Sequence, residues 1–319
     1  MRLSLALCTF NGAAFLREQL TSIEVQTPSL YEAVLCDDGS SDDTVGLLRQ
    51  FAVRAAYPVK VVINPSNLGS TQNFAQAISL CTGDAIVLSD QDDIWRPNKL
   101  ALIQQALEAV PQAGFVFSDA LLVNRDRRPL GGTLWDAVEF RPSEQERFCH
   151  GQAFNLLLRR FRVTGATMAF RSCFRDLILP IPAGWIHDAW IALLIAAVAD
   201  CVPIGEPLIE YRQHPEQQLG ERKRGFVGQY HVARAMGASG LREVADRFAE
   251  ALDRLHSHPA VPPERIRALK GKVRHASVRA AMRERKVWRL PLILREAWRG
   301  NYSRYSRGWK AIAQDLFLS

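Results

Sequence analysis

Five short, almost unbroken apolar runs alternate with stretches of helical period, and no other feature of this chain constrains its fold as tightly. Leu3–Leu7, Ala33–Leu35, Lys60–Ile63, Ala85–Leu88 and Phe115–Phe117 read as strands. Between them four apolar sets fall at helical spacing. They are Phe15, Leu16, Leu20 and Ile23; then Val45, Leu47, Leu48 and Phe51, with Ser41 as N-cap; then Phe74, Ala77, Ile78 and Cys81; and, after Pro97, Leu100, Ile103, Ala106, Leu107 and Val110. A strand that is apolar on both faces must be covered on both. The pattern therefore predicts a mainly parallel sheet with helices on both faces, an α/β architecture. Ligands of such sheets bind beyond the carboxyl ends of the strands.

Two acidic clusters stand at those ends. Asp37-Asp38-Gly39-Ser40-Ser41 follows the second run, and Asp90-Gln91-Asp92-Asp93 follows the fourth. Adjacent carboxylates repel one another unless a cation sits among them. The second cluster can hold Mg²⁺ or Mn²⁺, hard ions that prefer carboxylate oxygen and take substrate phosphates as further ligands. The bland reading is a solvated turn whose Asp gains from a helix dipole. In the first cluster, Asp-Gly-Ser is either ordinary turn chemistry or an acceptor for a nucleobase N–H or a ribose hydroxyl. No GxGxxG, GxxxxGK[ST] or GxSxG motif is present, so dinucleotide, P-loop and hydrolase-elbow chemistry find no support.

Downstream the pattern loosens. Asn124–His150 is polar and reads as irregular, Thr164–Phe170 as a strand, Asp188–Ala199 as a buried helix, and Ile204–Arg212 as a last strand leading to His214. A polar joint over 217–228 separates two expected domains, 1–219 and 220–319. Charge divides there too. Residues 1–219 carry 18 basic and 24 acidic side chains, net −6, and residues 220–319 carry 22 and 9, net +13, within a whole-chain charge of +7. The start reads as a strand and not as a signal peptide. The longest apolar run, Ala189–Ala199, is 11 residues, against about 20 needed to span a bilayer. Six scattered cysteines without CxxC spacing read as reduced, buried thiols of a cytoplasmic protein.

Taken in order, several segments resemble the family 2 glycosyltransferases, inverting nucleotide-sugar enzymes of GT-A fold. They are Leu7-Cys8-Thr9-Phe10-Asn11-Gly12, Asp37–Thr44, Asn67-Leu68-Gly69 and Asp90-Gln91-Asp92-Asp93-Ile94-Trp95. Thr164–Arg171, His187-Asp188-Ala189-Trp190 and Tyr211-Arg212-Gln213-His214 look like the bacterial rhamnosyltransferase-like branch. The resemblance covers roughly residues 3–220 and implies a Rossmann-like GT-A domain followed by a basic helical extension. It further implies roles: Thr9, Asn11, Asp37, Asp38 and Asn73 around the nucleoside, Asp90 on the ribose or sugar, and Asp92 and Asp93 on a Mg²⁺ or Mn²⁺ that bridges the diphosphate. His214 would touch the metal or diphosphate, and Asp188 would be the general base. Read without the resemblance, Asp188 is equally an N-cap. The wider family carries Glu-Asp where this chain has His187-Asp188, with His187 expected to make a local hydrogen bond or an acceptor contact.

The implied reaction moves a sugar, L-rhamnose by analogy, from a dTDP- or UDP-sugar to a glycan or lipid-linked glycan in cell-surface polysaccharide synthesis. In the basic third, Leu290, Ile293, Leu294, Ala297 and Trp298, then Tyr305, Trp309, Ile312, Ala313, Leu316 and Phe317, repeat at helical spacing among arginines. Such stripes suit an anionic membrane interface at the inner face of the plasma membrane. They equally suit packing on the catalytic domain or on a second subunit. Two rival readings are a haloacid-dehalogenase-like phosphohydrolase with Asp90 as nucleophile, and a basic module that grips nucleic acid.

Overall fold

The computed structural model describes residues 1–214, 237–284 and 289–317; the joint expected at 217–228, and Leu318 at the end of the last apolar stripe, lie outside them. The chain divides into two compact units, Met1–Gly151 with Arg162–Glu221, and Gln152–Phe161 with Arg222–Ser319.

The first unit opens as the alternation predicts. β1 (Leu3–Thr9), α1 (Ala13–Glu24), β2 (Glu32–Asp37), α2 (Thr44–Arg54), β3 (Val59–Ile63), α3 (Ser70–Leu80), β4 (Ala85–Ser89), β5 (Ile94–Trp95), α4 (Lys99–Ala109) and β6 (Ala113–Asn124) follow in order. With β7 (Pro129–Thr133), β8 (Met168–Arg171) and β9 (Asp200–Gln213) from further along the chain, the sheet runs β3-β2-β1-β4-β8-β6-β9-β5, with β7 on β6. β1 is parallel to β2 and β4, and β2 to β3. Every residue of β1 and β4 is buried, the consequence of cover on both faces. Helices α1, α2 and α4 bury the expected sets: Phe15, Leu16, Leu20 and Ile23; Leu47, Leu48 and Phe51; and Leu100, Ile103 and Leu107. The cap of α2 is Asp43, not Ser41.

Register decides where the acidic clusters emerge. Thr9 pairs with Asp37 and Leu7 with Ser89, so β1, β2 and β4 end nearly level. Residues 10–12, 38–43 and 90–93 therefore leave the sheet side by side.

Beyond β6 the structure corrects the sequence reading. Asn124–His150 is not irregular. It holds β7 (Pro129–Thr133), α5 (Leu134–Ala137) and α6 (Pro142–Arg147), with a reciprocal cap between Thr133 and Asp136. Trp135, Phe140 and Phe148 close on Phe117, with ring centroids 5.6, 5.7 and 5.4 Å away. These aromatic residues share no period along the chain, so only folding brings them together. After α7 (Ala153–Arg159), the expected strand at 164–170 is a 3₁₀ turn, Gly165–Thr167, leading into β8 (Met168–Arg171). β8 runs antiparallel to β4 and β6, which makes the sheet mixed. α8 (Arg175–Ile178) and α9 (His187–Ala196) follow. α9 is buried on nearly every side, as its unbroken apolar run requires. β9 (Asp200–Gln213) lies parallel to β6 and is longer than its apolar stretch alone suggests.

The second unit is helical: α7, α10 (Ala238–His256), α11 (Pro263–Glu284), α12 (Arg289–Trp298), α13 (Asn301–Tyr305) and α14 (Trp309–Phe317). α10 buries Leu241, Ala245, Phe248, Ala251 and Leu255, one face at helical spacing. Met282, Ile293, Tyr302 and Ala311 form a core joining α11 to α14. Polar groups are buried with them. Arg279 pairs with Asp315 at 2.6 Å, His275 lies 2.6 Å from Glu296, and the Lys272 Nζ donates to the Tyr305 carbonyl at 2.8 Å. The stripe expected from Tyr305 to Phe317 is not one buried face. Gly308, at φ +58°, separates α13 from α14, and Ala311 and Asp315 turn inward while Trp309, Leu316 and Phe317 are exposed. No helix among the described residues is long and apolar enough to cross a membrane. All six cysteines are free thiols, with Cys149 and Cys173 exposed, not buried as expected.

Candidate functional site

The loop after β4 is fastened to the loop after β1 through Gln91, whose Nε2 donates to the Phe10 carbonyl at 3.0 Å and whose Oε1 accepts from the Phe10 N–H at 2.8 Å. A Cβ at Gly12 would meet that Oε1 at 2.1 Å, so a side chain there would push Gln91 out of this pose. Asn11 follows Phe10 with φ +47°, and its Oδ1 accepts from the Ser41 N–H at 2.9 Å. These contacts hold the exposed lip of the site.

The β2 carboxylates face inward. Asp37 accepts from Thr9 Oγ1 at 2.8 Å and from the N–H and Oγ of Ser40 at 2.8 and 2.6 Å. Asp38 accepts from Asn64 Nδ2 at 3.0 Å and from the N–H groups of Leu68 and Gly69 at 2.8 and 2.9 Å. Both side chains are buried, as is Thr9. Asn73, expected to line the pocket, is buried as well. Its Nδ2 donates to the Cys36 carbonyl at 2.9 Å and its Oδ1 accepts from Asn64 at 3.1 Å. Asn73, Asp37 and Asp38 thus brace neighbouring loops through these bonds, and of the five nucleoside candidates only Asn11 is exposed.

The 90–93 cluster separates into an outward and an inward part. Burial, and after it the charges of Asp92 and Asp188, push the Asp90 carboxyl up to about 7. Asp93 is buried, accepts from the Arg212 N–H at 3.2 Å, and is held well above the usual carboxylate range by the same desolvation and by Asp92 and Asp90. Its Oδ2 is buried without a hydrogen-bond partner among the described residues. Beneath the cluster lies Lys99, fully buried. Its Nζ donates to the Ala166 carbonyl at 2.7 Å and sits 4.1 Å from the Trp95 ring centroid. Burial lowers it to about 7 against the pull of Asp93 and Asp90. The sequence reading passed over Lys99, although a cation in the first turn of a helix opposes the dipole and was a signal available there.

His214 reaches back across the sheet. Its Nε2 lies 2.8 Å from Asp92 Oδ2, and its ring is 4.6 Å from that of Phe15. Arg212, also passed over, braces this pair. Its Nε donates to the Asp92 carbonyl at 2.8 Å and its Nη2 to Glu18 at 2.9 Å.

Asp188 arrives by strand direction. Because β8 is antiparallel to β4, its entry lies beside the exit of β4. There the Gly165 N–H donates to Asp188 Oδ2 at 2.9 Å, and the Ala189 N–H donates to Oδ1 at 2.6 Å. The cap position of α9 is Ile186, and Asp188 sits inside the first turn, so it is not the N-cap. His187 is buried and stacked on Phe74 at 4.0 Å, with neither ring nitrogen hydrogen-bonded to protein, contrary to the local bond expected of it. Burial lowers its pKa, which keeps the ring neutral.

No group of three His, Cys, Asp or Glu side chains among the described residues is arranged to hold a metal ion. Asp92 with His214 supplies one oxygen and one nitrogen. That donor set fits Mg²⁺ or Mn²⁺ when a diphosphate provides further oxygens.

Residues 4–172 match the family model for glycosyl transferase family 2. The chain belongs to that family. Its matched segment covers β1 to β8, including the strand-end clusters. Among curated relatives, an uncharacterized glycosyltransferase of Nostoc sp. is 27% identical over 127 residues, which are 40% of this chain and 39% of that protein. The match thus spans well under two thirds of the relative's length. Among solved structures, S. aureus TarS residues 1–349 in complex with UDP-GlcNAc aligns over 99% of this chain and 89% of that one, at 15% identity and a TM-score of 0.58. The mannosyltransferase PcManGT from Pyrobaculum calidifontis, in complex with GDP-Man and Mn²⁺, covers 99% and 84% at 18% identity and a TM-score of 0.54. The family 2 chain therefore has the GT-A fold, as its motifs imply.

Proposed function

We propose that this family 2 chain is an inverting, metal-dependent glycosyltransferase. It moves a sugar, L-rhamnose in this reading, from a dTDP- or UDP-sugar to a hydroxyl of a glycan or lipid-linked glycan in bacterial cell-surface polysaccharide synthesis, at the inner face of the plasma membrane. The arrangement that supports it most is the Asp92–His214 pair together with Asp188, at the start of α9, both near enough to Asp90 for the charges of Asp92 and Asp188 to raise it.

Asp188 is the general base. Two backbone N–H donors hold its carboxylate and fix its direction. It takes the proton of the acceptor hydroxyl as that oxygen bonds to the anomeric carbon. The bond from that carbon to the diphosphate oxygen breaks on the opposite face, so configuration inverts and the nucleoside diphosphate departs. Asp92 and His214 would hold a Mg²⁺ or Mn²⁺, which would supply charge neutralisation for the leaving diphosphate. Asp90 accepts from donor hydroxyls. Asn11 and the turn clasped by Asp38 form the nucleoside wall. A phosphohydrolase nucleophile at Asp90 is disfavoured, because Asp90 follows the fourth strand of a family 2 sheet and not the first strand of its domain.

The test is a thermal-shift screen of nucleoside diphosphate sugars with Mn²⁺, followed by NMR assignment of the product anomer. A dTDP-sugar giving the largest shift and a product of inverted configuration are expected. Retained configuration would remove Asp188 as the base of a single displacement.

A further inference from the structure

We infer that the α12–α14 segment of the second unit is a membrane-docking surface for anionic lipid. This rests on the proposed function only for the direction of the benefit, since a lipid-linked acceptor lies at such a surface.

Fourteen large hydrophobic side chains are exposed among the described residues, and six of them fall between Leu290 and Phe317. Leu290, Leu294 and Trp298 recur every fourth residue along α12, at 57, 61 and 87% exposure. Trp309 and Phe317 on α14 are 71 and 80% exposed. None belongs to the core of Met282, Ile293, Tyr302 and Ala311 that holds these helices together. The stripes are therefore surplus to the packing of the unit. Clustered apolar exposure on this scale marks an interaction surface.

Charge selects the occupant. Arg295, Arg299, Arg304, Arg307 and Lys310 are exposed on the same segment. Its two carboxylates, Glu296 and Asp315, are buried against Asn301 and His275, and against Arg279 and Tyr302. The described surface of 289–317 thus bears basic groups and no exposed carboxylate. At roughly 100° per residue, Arg295 and Arg299 flank the Leu290–Trp298 stripe along one edge. Their apolar stems extend the stripe while their guanidinium groups reach the headgroup layer. A second copy of this face would set basic groups against basic groups, whereas an anionic bilayer answers both the apolar stripes and the charge.

The full chain is floated with vesicles of phosphatidylcholine alone or mixed with phosphatidylglycerol. Binding to the mixed vesicles, weakened by high salt, is expected. Arg295→Gln with Arg299→Gln should weaken it about 25-fold at low salt, about fivefold for each charge near the surface. Trp298→Ser with Trp309→Ser and Phe317→Ser should weaken it at least about tenfold. Both variants should keep the donor-induced thermal shift, which reports folding and nucleotide-sugar binding. Absence of vesicle binding by a chain that keeps this shift overturns the docking surface alone. Equal binding to neutral vesicles overturns it too, as does a dimer in sedimentation that the triple variant dissolves. Vesicle binding without any donor-induced shift overturns the transferase reading and leaves the surface standing.

Discussion

The Nε2 of His214 lies 2.8 Å from Oδ2 of Asp92, across 122 positions of sequence. The parallel pairing of β9 with β6, and the bracing of Asp92 by Arg212, bring a strand end and a strand-end loop to one point. Asp93, the immediate neighbour of Asp92, points into the interior instead.

That division predicts distinct phenotypes. Asp92→Ala and His214→Ala should each raise the Mn²⁺ concentration for half-maximal turnover by at least about tenfold, while Asp93→Asn leaves it close to wild type. A chelator should abolish turnover and added Mn²⁺ restore it. Metal titrations of turnover check all three variants. A wild-type metal requirement in His214→Ala would dissolve the pair as a site.

Asp188→Asn should lower kcat about 10²- to 10⁴-fold while leaving donor affinity intact. Gly165→Ala tests the same position indirectly. Its Cβ would lie 2.8 Å from His187 Nε2 and 3.4 Å from Asp188 Cβ, so the base is displaced without losing its carboxylate. kcat should fall while the donor KM holds. Transfer at wild-type rate in Asp188→Asn would assign the base elsewhere.

Asp38→Asn replaces an oxygen that accepts from backbone N–H groups with a competing donor. Because the group is buried, stability should drop by about 1–3 kcal/mol in chemical denaturation, with donor affinity falling as the Leu68–Gly69 turn loosens. Unchanged stability would mean that Asp38 does not clasp this turn.

Burial, then the charges of Arg279 and Arg247, lower Lys272 from 10.5 to about 7. Between those values the unfolded chain binds the proton and the folded chain does not. Stability therefore falls as pH drops from 10.5 towards 7 and stays level below, by about 1.4 kcal/mol per unit at most. Lys272→Met removes the dependence. Its gain in melting temperature over wild type should be larger at about pH 6 than at about pH 10. An equal gain at both would show that Lys272 is not desolvated in the folded unit.

The sheet was legible because its signals are local. Runs such as Ala85–Leu88 report burial on both faces, and helical spacing reports which face turns inward. The acid clusters were legible for the same reason, as charge where a strand ends. Position one turn beyond Gly69 says nothing about direction for Asn73; its bonds to Cys36 and Asn64 are visible only in the folded chain. The aromatic cluster of Phe117, Trp135, Phe140 and Phe148 escaped notice because it has no period.

By itself, then, the amino-acid order determined the alternating α/β architecture, the family and the strand ends that carry the acidic clusters, since each follows from neighbours within a few residues. Tertiary structure decided which carboxylates face outward, which brace loops, and which cation lies beneath them. Lys99 reaches a carbonyl 67 positions away and His214 a carboxylate 122 positions away. The exposure of Trp298 and Trp309 was decided there as well, because a helix that shows two apolar faces buries only the one its neighbours reach.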